Sequence, residues 1–238
     1  MTRTRLLVVG HSATASLRRM GTWFERDGLP YDLRFGGDGL PESLDGYAGM
    51  MVLGGAPLPN QDEAYPWLPA TRELTREAAD RHLPFLGICL GGQLLAYAAG
   101  GRVERRVYLP ERGMTVLSLL PEAADDPLFS VLPQSFWMAE NHQDHITELP
   151  EGAVRLACSE HTPVQGFRLG DCQWGLQFHP EVACDDIRRW DSDTRAECEE
   201  DGFAWRDVLA VAEAHARENA ETSRRFTERF AQLVLDRR

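Results

Sequence analysis

Apolar residues fall along this chain in short unbroken runs that alternate with longer stretches of mixed character. Residues 5–9, Arg-Leu-Leu-Val-Val, read as a strand buried on both faces, and residues 47–55, Tyr-Ala-Gly-Met-Met-Val-Leu-Gly-Gly, repeat the pattern before a glycine pair. Between them, residues 13–28 predict a crossover helix. After a proline-rich loop at 56–66, a helix beginning near Trp67 places Leu68, Ala70, Leu74 and Ala78 along one side before residues 83–88 return to strand. Such alternation predicts a parallel sheet covered on both faces. From 102 to 178 the segments turn more strand-like, with turns at 150–152 and 169–171. Beyond Gly202 the chain is polar and helical, with Phe226, Phe230, Leu233 and Val234 at i, i+4, i+7 and i+8. That stripe predicts docking on the core; pairing with a partner is the other reading. With no internal repeat or low-complexity linker, residues 1–238 predict one three-layer α/β domain, with a mostly parallel central sheet flanked by helices and a helical extension over about 185–238.

Charge narrows the partners. The chain carries 25 Lys and Arg against 37 Asp and Glu, a formal net charge of −12, which argues against a nucleic-acid or anionic-membrane surface. No stretch approaches the roughly 20 apolar residues that span a membrane, and the N-terminal apolar run passes directly into His11–Ser16 without the core of a signal peptide. The five cysteines, at 89, 158, 172, 184 and 198, are odd in number and form no C-x-x-C pair. This predicts a reduced, cytoplasmic protein.

The run Pro84-Phe-Leu-Gly-Ile-Cys-Leu-Gly-Gly-Gln93 stops a strand at a cysteine and sets a glycine two residues away on each side. A nucleophile on a sharp strand-to-helix turn sits on strained backbone, and side chains two positions away would collide with the turn. Gly87 and Gly91 remove that collision around Cys89. Residues 91–99 have the composition of a helix, so the thiol would lie at a helix N-terminus, where the dipole and free N–H groups favour the thiolate. A small buried cysteine without chemistry is the competing reading.

A second motif bears on that choice. Residues 174–182, Trp-Gly-Leu-Gln-Phe-His-Pro-Glu-Val, end a strand-like run at His179, with Glu181 two residues on. A cysteine nucleophile needs a base, and the base needs an orienting acceptor on its other nitrogen. His179 and Glu181 can supply both; alone, they also fit a strand-end histidine capped by a local carboxylate.

Together the motifs resemble the class I glutamine amidotransferase family. Its pattern P-x-x-G-x-C-x-G-x-Q is met at Pro84, Gly87, Cys89, Gly91 and Gln93, and its H-P-E at His179, Pro180 and Glu181. Residues 52–57 resemble the family's oxyanion loop, 65–68 and 94–103 look like stretches that follow in order, and 142–160 resemble the segment usually reading His-Gly-Asp. The likeness covers nearly the whole chain and is closest to stand-alone domains similar to the amidotransferase part of GMP synthases.

The resemblance implies a flavodoxin-like fold and glutamine as substrate. The Cys89 thiolate would attack the γ-carboxamide, with the N–H groups of Gly55 and Leu90 holding the oxyanion, His179 carrying protons and Glu181 orienting it. Gln93 and groups near Asn141, His142, Gln143 and Asp144 would hold the substrate, and ammonia would pass to a separate synthetase or other acceptor protein. A partner would act on the segment between Gly55 and Trp67. Two other functions use the same residues: hydrolysis of γ-glutamyl peptides or amines, and a non-catalytic regulatory role, against which the intact triad stands. Two positions depart from the pattern. Ala56 follows the glycines where proline is usual, and Gln143 puts bulk in the His-Gly-Asp segment.

No cofactor or metal is expected. His142 and His145 lie three apart in a predicted loop, not four apart on a helix, and the glycines at 36–39 and 54–55 belong to neither a phosphate-binding nor a dinucleotide motif.

Overall fold

A computed structural model describes residues 5–13 and 15–237. Eleven strands and six α-helices follow in chain order: β1 (Arg5–Gly10), α1 (Arg19–Asp27), β2 (Tyr31–Phe35), β3 (Tyr47–Val52), α2 (Leu68–Asp80), β4 (Phe85–Ile88), α3 (Leu90–Ala98), β5 (Arg102–Arg105), β6 (Glu111–Leu119), β7 (Ser135–His142), β8 (Asp144–Glu148), β9 (Val154–Cys158), β10 (Gly166–Leu169), β11 (Gln173–Leu176), α4 (Cys184–Arg188), α5 (Ser192–Glu200) and α6 (Trp205–Leu235). Nine strands form one sheet in the order β2-β1-β3-β4-β11-β10-β9-β6-β7, and β5 and β8 form a separate ribbon. Junctions from β2 to β11 are parallel and those from β11 to β7 antiparallel, so only β10 and β6 run against the rest.

The unbroken apolar runs require cover on both faces, because successive strand residues point to opposite sides. In β1, Leu6 and Val8 join a cluster with Met20 and Phe24 of α1 and Phe226 and Phe230 of α6. Leu7 and Val9 join the opposite cluster with Leu74 and Ala78 of α2 and Leu90 and Leu94 of α3. The expected three layers are present. A third, smaller cluster seats α4 and α6 on β6 and β7 through Ile187, Val208, Met114 and Ala139.

Three local expectations are corrected. Helix α1 occupies only the later part of the 13–28 span: Arg18 takes φ 47, which no helix continues through, and Gly28 in the left-handed region closes it. Residues 15–18 are irregular instead, and Thr14 lies outside the described residues. In α2 the buried side includes Thr71 and Thr75, whereas Ala70 faces solvent. The His142–His145 segment is a strand-to-strand step: β7 ends at His142 and β8 starts at Asp144, because the first pairs with β6 in the main sheet and the second with β5 in the ribbon.

The apolar stripe of α6 packs inward, with Phe226, Phe230 and Val234 fully buried and Phe226 edge-on to Phe129 at 5.6 Å. No helix among the described residues is long and apolar enough to cross a membrane. Phe226→Ala is expected to cost about 3–5 kcal/mol in urea unfolding, as for other buried aromatics; a loss under about 1 kcal/mol would mean that the stripe serves a partner and not the core.

Candidate active site

Strands β3, β4 and β11 are adjacent and parallel, so their C-terminal ends open on one edge, where ligands of parallel sheets bind. Gly54 follows β3, Cys89 follows β4 and His179 follows β11 by three residues. A cleft of about 430 Å³ lies over this edge, lined by Gly54, Gly55, Cys89, Gln93, His179 and Glu181 among others.

Cys89 caps α3 at φ 51 and ψ −108, the left-handed region that a non-glycine residue enters only under constraint. Its N–H donates to Leu176 O at 2.8 Å and its carbonyl accepts from Gln93 N at 3.0 Å, so β11 and α3 hold the turn from both sides. The bare flanks have a steric cause. A Cβ on Gly87 would stand 2.3 Å from the Gly91 carbonyl, and one on Gly91 would stand 2.1 Å from Val52 O.

His179 and Cys89 meet across Gly54, where a Cβ would stand 3.0 Å from His179 Cε1 and 3.4 Å from Cys89 Cβ. His179 Nδ1 donates to Glu181 Oε1 at 2.7 Å, since a carboxylate only accepts, and Nε2 is buried with no oxygen or nitrogen partner. Burial alone would lower the imidazole's pKa, but the Glu181 carboxylate and the Cys89 sulfur outweigh it and hold His179 well above its ordinary 6.5. The arrangement favours an imidazolium beside a sulfur, the charge pattern of an activated cysteine.

The expected substrate residues line the same cleft. Several of their side chains are already committed. Gln93 Nε2 donates to Asp144 O and Gln177 Oε1, both at 3.2 Å. Asn141 Oδ1 accepts from Arg112, and Asp144 accepts from Arg105 Nε at 3.1 Å. His142 Nε2 lies 3.0 Å from Glu111 Oε2. Gln143, the single residue between β7 and β8, lines the cleft and gives its carbonyl to Arg106 N at 2.8 Å. Gly55 and Leu90 flank the turn, and a Cβ on Gly55 would meet Leu90 Cδ2 at 3.0 Å.

Several contributors escaped the sequence reading. Gln177, two residues before His179, donates its Nε2 toward Cys89 Sγ at 3.5 Å; its place in the same motif could have flagged it. Glu140 is fully buried, and burial together with neighbouring Glu111 pushes its carboxyl well above the usual range. Glu111, Glu140 and His142 bring ligand-type atoms within 4.8 Å of one another. Glu111 already accepts from Ser159 Oγ and Gln165 Nε2, each at 2.6 Å, and faces the His142 ring. Because Glu111 lies opposite His142 on the neighbouring strand β6, far from it in sequence, spacing gave no signal of this cluster.

A model of the family described as Glutamine amidotransferase class-I matches residues 37–188. The chain belongs to the class I glutamine amidotransferase family. It is 40% identical over 144 residues to a glutamine-hydrolyzing GMP synthase of Porphyromonas gingivalis, a stretch covering 60% of this chain and 26% of that protein. A glutamine-hydrolyzing GMP synthase subunit of Saccharolobus solfataricus is 41% identical over 101 residues, 42% of this chain and 52% of that one. The amidotransferase thus spans about a quarter to a half of the length of these relatives. Among solved structures, a glutamine amidotransferase from Thermotoga maritima superposes with a TM-score of 0.84 at 29% identity, covering 96% of this chain and 98% of that one.

The raised His179 pKa fixes the sign of a pH effect in this amidotransferase. A raised histidine contributes stability that is fully present below 6.5 and lost as pH rises through the folded value. In Glu181→Gln the carboxylate is gone and burial dominates, so NMR titration should show the His179 ring losing its proton at lower pH than in the parent. An unchanged titration would mean that Glu181 does not hold the proton.

Proposed function

We propose that this amidotransferase hydrolyses the γ-amide of glutamine through a cysteinyl thioester, yielding glutamate and ammonia for a separate acceptor protein. The observation that carries the reading is the convergence of the strained Cys89 turn, His179 and Glu181 on one cleft edge. The Cys89 sulfur adds to the γ-carbonyl carbon, and the N–H groups of Gly55 and Leu90 are assigned to the resulting oxyanion. As the C–N bond breaks, His179 delivers a proton to the departing nitrogen. Water then adds to the thioester carbonyl, giving its proton to the same imidazole, and the C–S bond breaks to release glutamate and free Cys89. Glu181 orients the ring throughout.

Glutamine's α-carboxylate needs a cation, and two arginines line the cleft. Arg112 is buried and bonded to Asp201 at 2.8 Å, whereas Arg18 is half-exposed and paired with Asp186 at 2.6 Å. A surface pair is worth only about 0–1 kcal/mol, while breaking a buried one costs several. We therefore assign Arg18 to the carboxylate. A separate acceptor is supported by the relatives, one named as a GMP synthase and another as a single GMP synthase subunit.

Purified protein assayed for ammonia and glutamate, with and without candidate synthetases, tests the function. Cys89→Ala should abolish turnover and labelling by an electrophilic glutamine analogue, with the other four cysteines dispensable; label mapped to Cys158 or Cys172 would remove the assignment. His179→Ala should be slower than Glu181→Gln, because the base transfers the proton and the carboxylate only directs it. Arg18→Gln should raise KM by roughly tenfold, the worth of about 1.4 kcal/mol, with kcat little altered. Turnover by the isolated chain near 10 s⁻¹, on the order of complete enzymes, would overturn dependence on a partner. Release of amines from γ-glutamyl amines, with glutamine untouched, would replace this reading with a γ-glutamyl hydrolase.

A further inference from the structure

We propose that Arg19 is a positioning residue for the His179–Glu181 pair, and that through it the C-terminal helix α6 forms part of the active-site scaffold. The inference rests on the proposed roles of Cys89, His179 and Glu181.

The turn that carries the pair has two anchors. At its start, His179 N donates to Ala139 O of β7 at 2.8 Å. Pro180 follows, with no N–H to give, but its carbonyl accepts from Arg19 Nε at 2.9 Å. The same guanidinium reaches α6, where one terminal nitrogen donates to Asn219 Oδ1 at 2.8 Å and Ser223 Oγ at 2.7 Å. Asn219 and Ser223 lie four residues apart on one face of α6, and both are fully buried. Asn219 in turn donates Nδ2 to Trp137 O at 3.1 Å, two residues before the Ala139 that anchors His179. One cation thereby links α1, α6, β7 and the turn between His179 and Glu181 in a closed set of hydrogen bonds.

Charge adds to this geometry. Burial lowers the Arg19 pKa to about 10, with Glu181 and Asp186 drawing it back up, so the group is charged at neutral pH and acts on Glu181 across the turn. Glu181 has given one oxygen to His179, and its other oxygen is buried without a hydrogen bond. Arg19 also lies 5.4 Å over the Trp23 ring, a cation–π contact within α1. Lysine could not replace it, because a single ammonium cannot present the planar fork that reaches Pro180 and α6 at once. Arg18, not Arg19, lines the cleft, so Arg19 acts through the turn and not by touching substrate. Arg19, Asn219 and Ser223 all fall outside the matched residues 37–188, so this support is carried by parts of the chain beyond the family match.

The test uses the full-length chain with Arg19→Ala, Arg19→Lys and Ser223→Ala. Three quantities are read: kcat and KM for glutamine per titrated Cys89, the rate of Cys89 alkylation by iodoacetamide, and Tm. Misplacing a catalytic group by about 1 Å costs up to about 100-fold. Arg19→Ala is therefore expected to lower kcat by about tenfold or more, with KM within about threefold, and to slow Cys89 alkylation. Arg19→Lys should not restore the rate, whereas added guanidinium ion should raise Arg19→Ala turnover at least threefold and leave wild type unmoved. In a Glu181→Ala background, Arg19→Ala should cost less than it does alone, because both changes act on the placement of His179. If Arg19→Ala does not fold, Ser223→Ala carries the test through the same kcat-against-KM split. A fall in Tm with kcat per titrated site within twofold of wild type, or full additivity with Glu181→Ala, would overturn the proposal. Should wild type fail to hydrolyse glutamine, that defeats the proposed function, and alkylation of Cys89 still decides the role of Arg19.

Discussion

The close approach of the first turn of α3 to the ends of β3 and β11 governs where every other group of the site can stand. Gly91 lies against Val52 O and Gly92 against Leu176 O, at separations that leave no room for a Cβ. With the helix pressed this far onto the sheet, the residue that joins β4 to α3 is forced to positive φ, and its side chain is thrown outward over the strand ends. Parallel register then does the rest. Ile88 pairs with Leu176 and Val52 with Gly87, so the segments leaving β3 and β11 emerge on either side of the thiol. Cys89, a glycine loop and His179 assemble from three strand ends because those strands run the same way.

The electrostatics around this point are those of a site crowded with acids. Glu140, Asp144 and Glu181 line the cleft and Glu111 stands beside Glu140, all of them buried, in a chain of net charge −12. Unpaired anions there would oppose a thiolate, and each is answered differently: Asp144 by Arg105, Glu181 by His179, Glu111 by Ser159, Gln165 and His142. Glu140 makes no hydrogen bond, although His142 Nε2 stands 3.3 Å from its Oε2, and its carboxyl is pushed well above the usual range by burial and by Glu111, toward the neutral form that such a position tolerates. The charge that remains beside the sulfur is then the His179–Glu181 pair, in which the Glu181 carboxylate and the Cys89 sulfur together hold the ring's pKa up.

Much of this was legible in the chain itself. The runs at 5–9, 47–52 and 85–88 marked buried parallel strands because a strand covered on both faces has no polar side to show. The meeting of Cys89, His179 and Glu181 was legible because strain, small neighbours and a His-Pro-Glu turn are local demands written within ten residues. What stayed hidden was long-range. Residues 15–18 have helical composition, yet they leave α1, and Ala15, Ser16 and Arg18 line the cleft instead. Ala70 lost its place on the inner face to Thr71 and Thr75, whose hydroxyls bond the carbonyls of Trp67 and Thr71 and so can be buried in a helix. The pairing of Glu111 with His142 joins two strands through cross-strand register, and no motif spans that distance.

The sheet divides its labour at β11. On the parallel side, loops converge on one edge and bring Gly54, Cys89 and His179 together. On the antiparallel side, neighbouring strands alternate in direction, and β6 and β7 reach the cleft together, through Arg112 and through Ala139 to His142; the C-terminal end of β7 is the one that runs on into it. It delivers Ala139 to His179 and then leaves the sheet within one residue, since β8 pairs with the ribbon. Gln143 therefore sits at a forced step between two sheets and lines the cleft. With its neighbours Asn141, His142 and Asp144 held by Arg112, Glu111 and Arg105, the bulk at this position has little freedom to move aside. Shape on this side of the cleft is thus set by a fixed strand crossing and not by a flexible loop.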